Sequence, residues 1–196
     1  ASSRVMEMYV EGNILNLILE KQKTQLTQQE DEDVFYMDSD TVTELLTYDI
    51  SDKSSPSLSG SVTQDGSYKT SRKIGNIVYL FSDQYMETNG MVKERAILDE
   101  NTTGWIPVVN GTPVAADCIY LPEQGNNGLL VTSVDVTSPE KTIDQTLILN
   151  HFVEVYVSTG SLYLYHSDYT GSRINTQIAK FSLQQGNIDA VGAASA

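Results

Sequence analysis

The sequence predicts an all-β chain in which one four-stranded antiparallel unit is spelled three times in succession. Three observations predict this. Three hairpins with glycine-bearing turns can be aligned along the chain. Two further strands follow each hairpin at nearly constant offsets. The second strands include continuous apolar runs, which imply burial on both faces. Composition leans the same way: the 196 residues include eleven tyrosines and thirteen glycines and are 40% hydrophobic, enough for a folded core.

The first hairpin is 5–10 and 14–20 around Glu11-Gly12-Asn13. The second is 68–74 and 77–82 around Gly75-Asn76. The third is 152–157 and 162–166 around Ser158-Thr159-Gly160-Ser161. Each glycine is expected to supply the positive φ of a tight hairpin. A third strand then reads Thr47-Tyr48-Asp49-Ile50-Ser51, Ser133-Val134-Asp135-Val136-Thr137 or Lys180-Phe181-Ser182-Leu183-Gln184. A fourth follows at 58–62, 143–147 and 188–192, after polar corners at 51–56, 138–141 and 184–187. Serine, proline and glycine suit those corners. Gly75 to Gly160 is 85 residues, Asp49 to Asp135 is 86 and Leu58 to Ile143 is 85, and unrelated strands would not keep such offsets. The aspartate shared by Asp49 and Asp135 is expected to bond a turn backbone; the third copy has Ser182 there.

Ile77-Val78-Tyr79-Leu80-Phe81 and Leu162-Tyr163-Leu164-Tyr165 lack the alternation of a strand with one wet face. Four-stranded sheets covered on both faces are the stacked blades of a β-propeller. A β-sandwich is the competing arrangement, and the tandem four-strand repeat argues against it. Only residues 21–32 are a candidate helix, and they are polar throughout. The blades are placed at about 4–64, 65–149 and 150–196. Propellers typically hold 4–8 blades. Three therefore imply either further blades beyond this chain or a homodimer closing a six-bladed ring. The ends, Ala-Ser-Ser-Arg and Val-Gly-Ala-Ala-Ser-Ala, read as those of an excised piece. The loops between second and third strands are expected at 21–42, 83–127 and 167–172, very unequal in length. Long insertions on one face of a repeat protein are either binding elements or tolerated decoration, and both readings stand.

Residues 46–81 (LTYDISDKSSPSLSGSVTQDGSYKTSRKIGNIVYLF) resemble the bacterial and archaeal secreted proteins whose β-propeller is distantly related to WD40 repeats. The matching features are the Tyr-Asp-Ile-Ser strand, the Ser-Pro turn, Asp65-Gly66-Ser67-Tyr68, Ser71-Arg72 and Ile74-Gly75 before an apolar strand. Residues 113–135, with Ile119-Tyr120-Leu121-Pro122, look similar too. The resemblance is strongest over 43–85 and weaker in the third copy. It implies a propeller exported from the cell, secreted or at the surface, and no particular activity.

The formal charge is −14, from 26 acidic against 12 basic residues. Such a surface repels phosphate backbones and anionic lipid, which argues against nucleic acid and membrane surfaces as partners. No apolar stretch approaches the roughly 18 residues of a membrane span. Cys118, the one cysteine, cannot form an internal disulfide, and reads as a small buried hydrophobe.

The run Glu30-Asp31-Glu32-Asp33 with Asp38-Ser39-Asp40 makes Asp31, Asp33, Asp38 and Asp40 the candidate metal ligands. Calcium takes 6–8 oxygens, but the glycine of an EF-hand loop is missing, and a solvated charge run is the competing reading. No other cofactor is indicated. His151 and His166 have no clustered carboxylates beside them in the sequence, a poor basis for zinc. No nucleophile elbow or phosphate-binding loop is present, so no catalytic residue is assigned. Trp105 is the candidate binding residue: a loop tryptophan either anchors a partner or pins its own loop. The leading expectation is a non-enzymatic module binding a protein or glycan through the face that bears the insertions. A secreted hydrolase with carboxylates at the propeller centre, or a calcium-stiffened spacer, are the alternatives.

Overall fold

A computed structural model of the chain describes residues 2–28, 35–85, 97–99, 102–103, 106–120, 127–149, 154–170 and 173–195. Among them the only helical element is a three-residue 3-10 turn, Ala116–Cys118. The rest is strand and turn, arranged as three successive four-stranded antiparallel meanders. The first blade holds β1 (Ser3–Glu11), β2 (Ile14–Gln28), β3 (Phe35–Asp49) and β4 (Ser57–Asp65). The second holds β5 (Ser67–Ile74), β6 (Ile77–Tyr85), β7 (Asn127–Asp135) and β8 (Thr142–Leu149). The third holds β9 (Glu154–Val157), β10 (Ser161–Thr170), β11 (Arg173–Gln184) and β12 (Asn187–Ser195).

The blades stack through two apolar seams. Ile18, Leu45 and Val62 of the first blade pack on Val78, Leu80, Leu130 and Val134 of the second. Tyr79, Phe81, Leu129 and Val131 pack the opposite face of the second blade against Leu162, Leu164, Phe181 and Ile188 of the third. The continuous run in β6 follows from this: alternate residues serve opposite seams. Each buried side chain of this size contributes about 1.5–3 kcal/mol. The matching run in β10 behaves differently. Leu162 and Leu164 are fully buried, whereas Tyr165, on the face turned away from the second blade, is 41% exposed.

Gly12 and Gly75 adopt φ +58° and turn the first two hairpins as expected. Gly160 does not take a positive φ; Ser158 closes the third hairpin instead, its amide donating to Ser161 O at 2.8 Å. Asp49 and Asp135 hold their turns: the Ser51 and Thr137 amides donate to their carboxylates at 2.7 and 2.8 Å. These hydrogen bonds hold the Asp49 carboxyl below its usual range. The loop expected at 21–42 is largely strand. β2 and β3 run on as one hairpin to the pair Gln28–Phe35. These stretches carry no sustained apolar/polar alternation to mark them as strand. The third-copy loop is likewise shorter than expected, since β10 and β11 pair as far as Thr170 and Arg173.

One feature repeats without any signature in the residue types. In every blade the ladder between third and fourth strands is broken at the same place, after Thr47, Ser133 and Lys180. Ser59, Ile143 and Val191 are the extra residues, and such bulges bend and twist the strand that bears them. The corner of the next blade rests on that place. A Cβ on Gly60 would lie 2.8 Å from Pro139, and one on Gly186 would lie 2.5 Å from Ile143. Backbone and ring atoms sit where the side chain of residue 60 would be, so glycine is required there. Gly60→Ala is therefore expected to destabilise by about 1–3 kcal/mol through overpacking. Gly12→Ala, with open space around it but φ +58°, tests backbone strain alone. Thermal unfolding of the two variants separates the effects.

Candidate functional site

The described part of the insertion between β6 and β7 that spans residues 106–120 is built into the stack. Residues 108–109 and 112–113 form a small hairpin. Val109 pairs with Gln64 at the outer edge of β4. The Asp65 carboxylate accepts the Val108 amide at 2.9 Å, Asn110 Oδ1 accepts the Thr63 amide at 2.8 Å, and the Asn110 amide donates to Thr63 O at 2.9 Å. Asn110 and Gly111 take the turn at φ 49° and 78°, a conformation asparagine tolerates and glycine favours. Ile106, Val109 and Val114 are buried in the first seam. Ile119 and Tyr120 then add a short parallel strand to the edge of β8. Tyr120 meets Phe181 of the third blade edge to face, with centroids 5.2 Å apart. One insertion thus touches all three blades and covers the outer edges of two.

Beneath this hairpin a polar network crosses the first seam. Gln64 is 1% exposed, and its amide donates to Ser82 Oγ at 2.8 Å while its carbonyl accepts from Thr132 Oγ1. Ser82 Oγ in turn donates to Asp65 O at 2.6 Å. At the first-strand edge of the same seam, Ser71 Oγ lies 2.9 Å from the Tyr9 hydroxyl and 3.1 Å from that of Tyr68. Lys73 pairs with Glu11 across the blades, and the Tyr68 amide donates to Glu20 at 3.0 Å. Burial raises Tyr9 and Tyr68, and also Tyr79 in the second seam, above the ordinary tyrosine value. These hydroxyls remain protonated donors and acceptors at neutral pH, suited to holding blades together and not to removing a proton from a substrate.

Trp105, Asp31 and Asp33 lie outside the described residues, as does His151. Asp38 and Asp40 lie in β3, where the ladder sets them opposite Gln25 and Lys23. Among the described residues no group of three or more histidine, cysteine, aspartate or glutamate side chains is placed to hold a metal ion. Cys118 is partly buried, packed on the first seam; burial and then Asp117 push its thiol up, which keeps it protonated. The residues that organise the site, Gln64, Asp65, Asn110 and Ser71, were not singled out for such a role by sequence reasoning. Their one signal is the interruption of an inward-facing pattern: Val62 is followed, two residues on, by Gln64.

Asp65→Ala strips the partner from the Val108 amide and is expected to cost about 1–3 kcal/mol. Hydrogen exchange at Val108 should accelerate more than exchange in the centre of β6. An alkaline titration followed at the phenolate band should show Tyr9, Tyr68 and Tyr79 ionising late. Because their folded values are raised, the linked stability is complete below about pH 10 and is lost as pH rises through those values. Tyr9→Phe should remove one late tyrosine from that titration.

No curated protein and no solved structure matches the chain. The family described as the beta propeller domain matches residues 1–195, nearly the whole chain, and the protein belongs to that family.

Proposed function

We propose that this chain is a non-enzymatic β-propeller module of a secreted or cell-surface prokaryotic protein, of the kind distantly related to WD40 repeats. In this reading it binds a protein or glycan through the face that bears the insertions. The observation that carries it is the anchoring of the β6–β7 insertion. Residues 106–120 are stapled to two blade edges and contribute apolar side chains to the seam. Function placed on loops depends on a scaffold that fixes their ends, and this insertion has such a base. Residues 86–105, which include Trp105, are attached to that base and are assigned the contact with the partner. The −14 charge favours a neutral or basic partner over nucleic acid.

The test keeps the anchors and changes the rest. Residues 86–105 are replaced by a glycine-serine linker of equal length, and wild type and variant are screened on a glycan array and against a panel of basic extracellular proteins. Binding by the wild type that disappears in the variant, with the melting temperature unchanged, is the expected result. A ligand bound equally by both would overturn the assignment of this face.

A further inference from the structure

The two seams differ at their first-strand edges. At that edge of the second seam stand Ile74, Val155 and Val157, packed on the apolar core behind them. At the same edge of the first seam, Tyr9 of β1 meets Tyr68 and Ser71 of β5. The Ser71 hydroxyl lies 2.9 and 3.1 Å from the two tyrosine hydroxyls. Burial is the chief cause of the raised Tyr9 and Tyr68; the Glu7 carboxylate raises both further, and the Arg72 guanidinium acts against it at Tyr9. Both charges therefore lie beside these hydroxyls. Glu7 and Arg72 are exposed, and Tyr9, Tyr68 and Ser71 are half-buried. Deeper still is Asn16, 0% exposed, which the ladder sets opposite Tyr9, two residues before Ile18 of the first seam. Its Oδ1 accepts from Thr47 Oγ1 at 2.9 Å, and its Nδ2 has no hydrogen-bond partner among the described residues. A buried donor left unmet costs about 1–3 kcal/mol. Stacking does not call for this chemistry, because the second seam closes the same edge with aliphatic side chains. The edge is formed by two blades of this chain, whatever flanks them.

We propose that this edge of the first seam binds a neutral hexose unit through Tyr9, Tyr68, Ser71, Glu7 and Arg72, with the Asn16 amide as the innermost donor. Sugar hydroxyls both donate and accept, as do the hydroxyls of Tyr9, Tyr68 and Ser71. A carboxylate only accepts and a guanidinium only donates, so Glu7 and Arg72 select one orientation of the ring. One charge of each sign suits an uncharged ligand over an anion or a cation. The tyrosine rings offer apolar faces to the C–H side of a pyranose. Tyr9 stands on the edge strand outside Asn16, so its ring turns outward for a ligand hydroxyl to meet Nδ2. The site is separate from the insertion face proposed above, and either can fail alone.

The test is saturation-transfer NMR on the whole chain with glucose, galactose, mannose and N-acetylglucosamine, each as the free sugar and as a trisaccharide. Transfer to at least one of them is expected, and Glu7→Ala and Tyr68→Phe should each weaken it about tenfold with the melting temperature unchanged. Glu7 is exposed, so its replacement keeps the test decisive even if Tyr68→Phe unfolds. Tighter binding of a trisaccharide identifies a glycan chain as the source of the hexose, and equal binding a free sugar; both support the site. Absence of transfer to every neutral sugar overturns the proposal, as does transfer to glucuronic acid alone. Binding that survives Glu7→Ala and Tyr68→Phe but is lost with the linker in place of residues 86–105 puts the sugar on the insertion face, and overturns it too.

Discussion

A sheet whose two faces are both apolar has no stable existence alone, and this requirement organises the molecule. β6 states it most plainly, with Val78 and Leu80 in one seam and Tyr79 and Phe81 in the other. Every blade must find a neighbour on each side. The hairpin glycines, capped corners and bulges are the local means by which one blade is shaped to meet the next. The carboxylates of Asp49 and Asp135 illustrate the scale of these means. Each fixes a two-residue reach of backbone, and that reach sets where the corner stands relative to the preceding blade.

Edges impose the second requirement. A sheet ends in unpaired amides and carbonyls, which natural proteins cover or blunt. Here the β6–β7 insertion covers the outer edges of the first two blades, pairing with β4 on one and β8 on the other. The same contacts that protect the edges give the insertion a fixed base. Under the proposed function, structural and recognition roles fall to adjoining stretches of one loop, and the binding part takes its position from the part that seals.

Sequence reading resolved the blades because each depends on local chemistry: glycine at hairpin turns, aspartate before corners, apolar runs where both faces are covered. It failed where structure depends on pairing without pattern. The extension of β2 and β3 to Gln28 and Phe35 is polar, so no period marked it as strand. The bulges at Ser59, Ile143 and Val191 involve three unlike residues, because a bulge is a property of register and not of side chain. Gly160 was read as a positive-φ turn, yet a serine closes that hairpin. The site was less legible still. Asp65 and Asn110 act on amides distant in the chain, and nothing at residues 63–65 announces a partner near residue 108.

The Gln64 network lies among the aliphatic side chains of the first seam and bonds groups from three strands. Apolar surfaces alone allow two sheets to slide past one another at little cost, since one methyl contact replaces another. A buried amide does not slide. A shift of one residue pair would leave the Gln64 carbonyl and amide facing aliphatic carbon, each an unmet polar group in a dry interior. The first seam therefore works as a vernier: greasy contact brings the blades together, and one glutamine fixes the notch at which they stop.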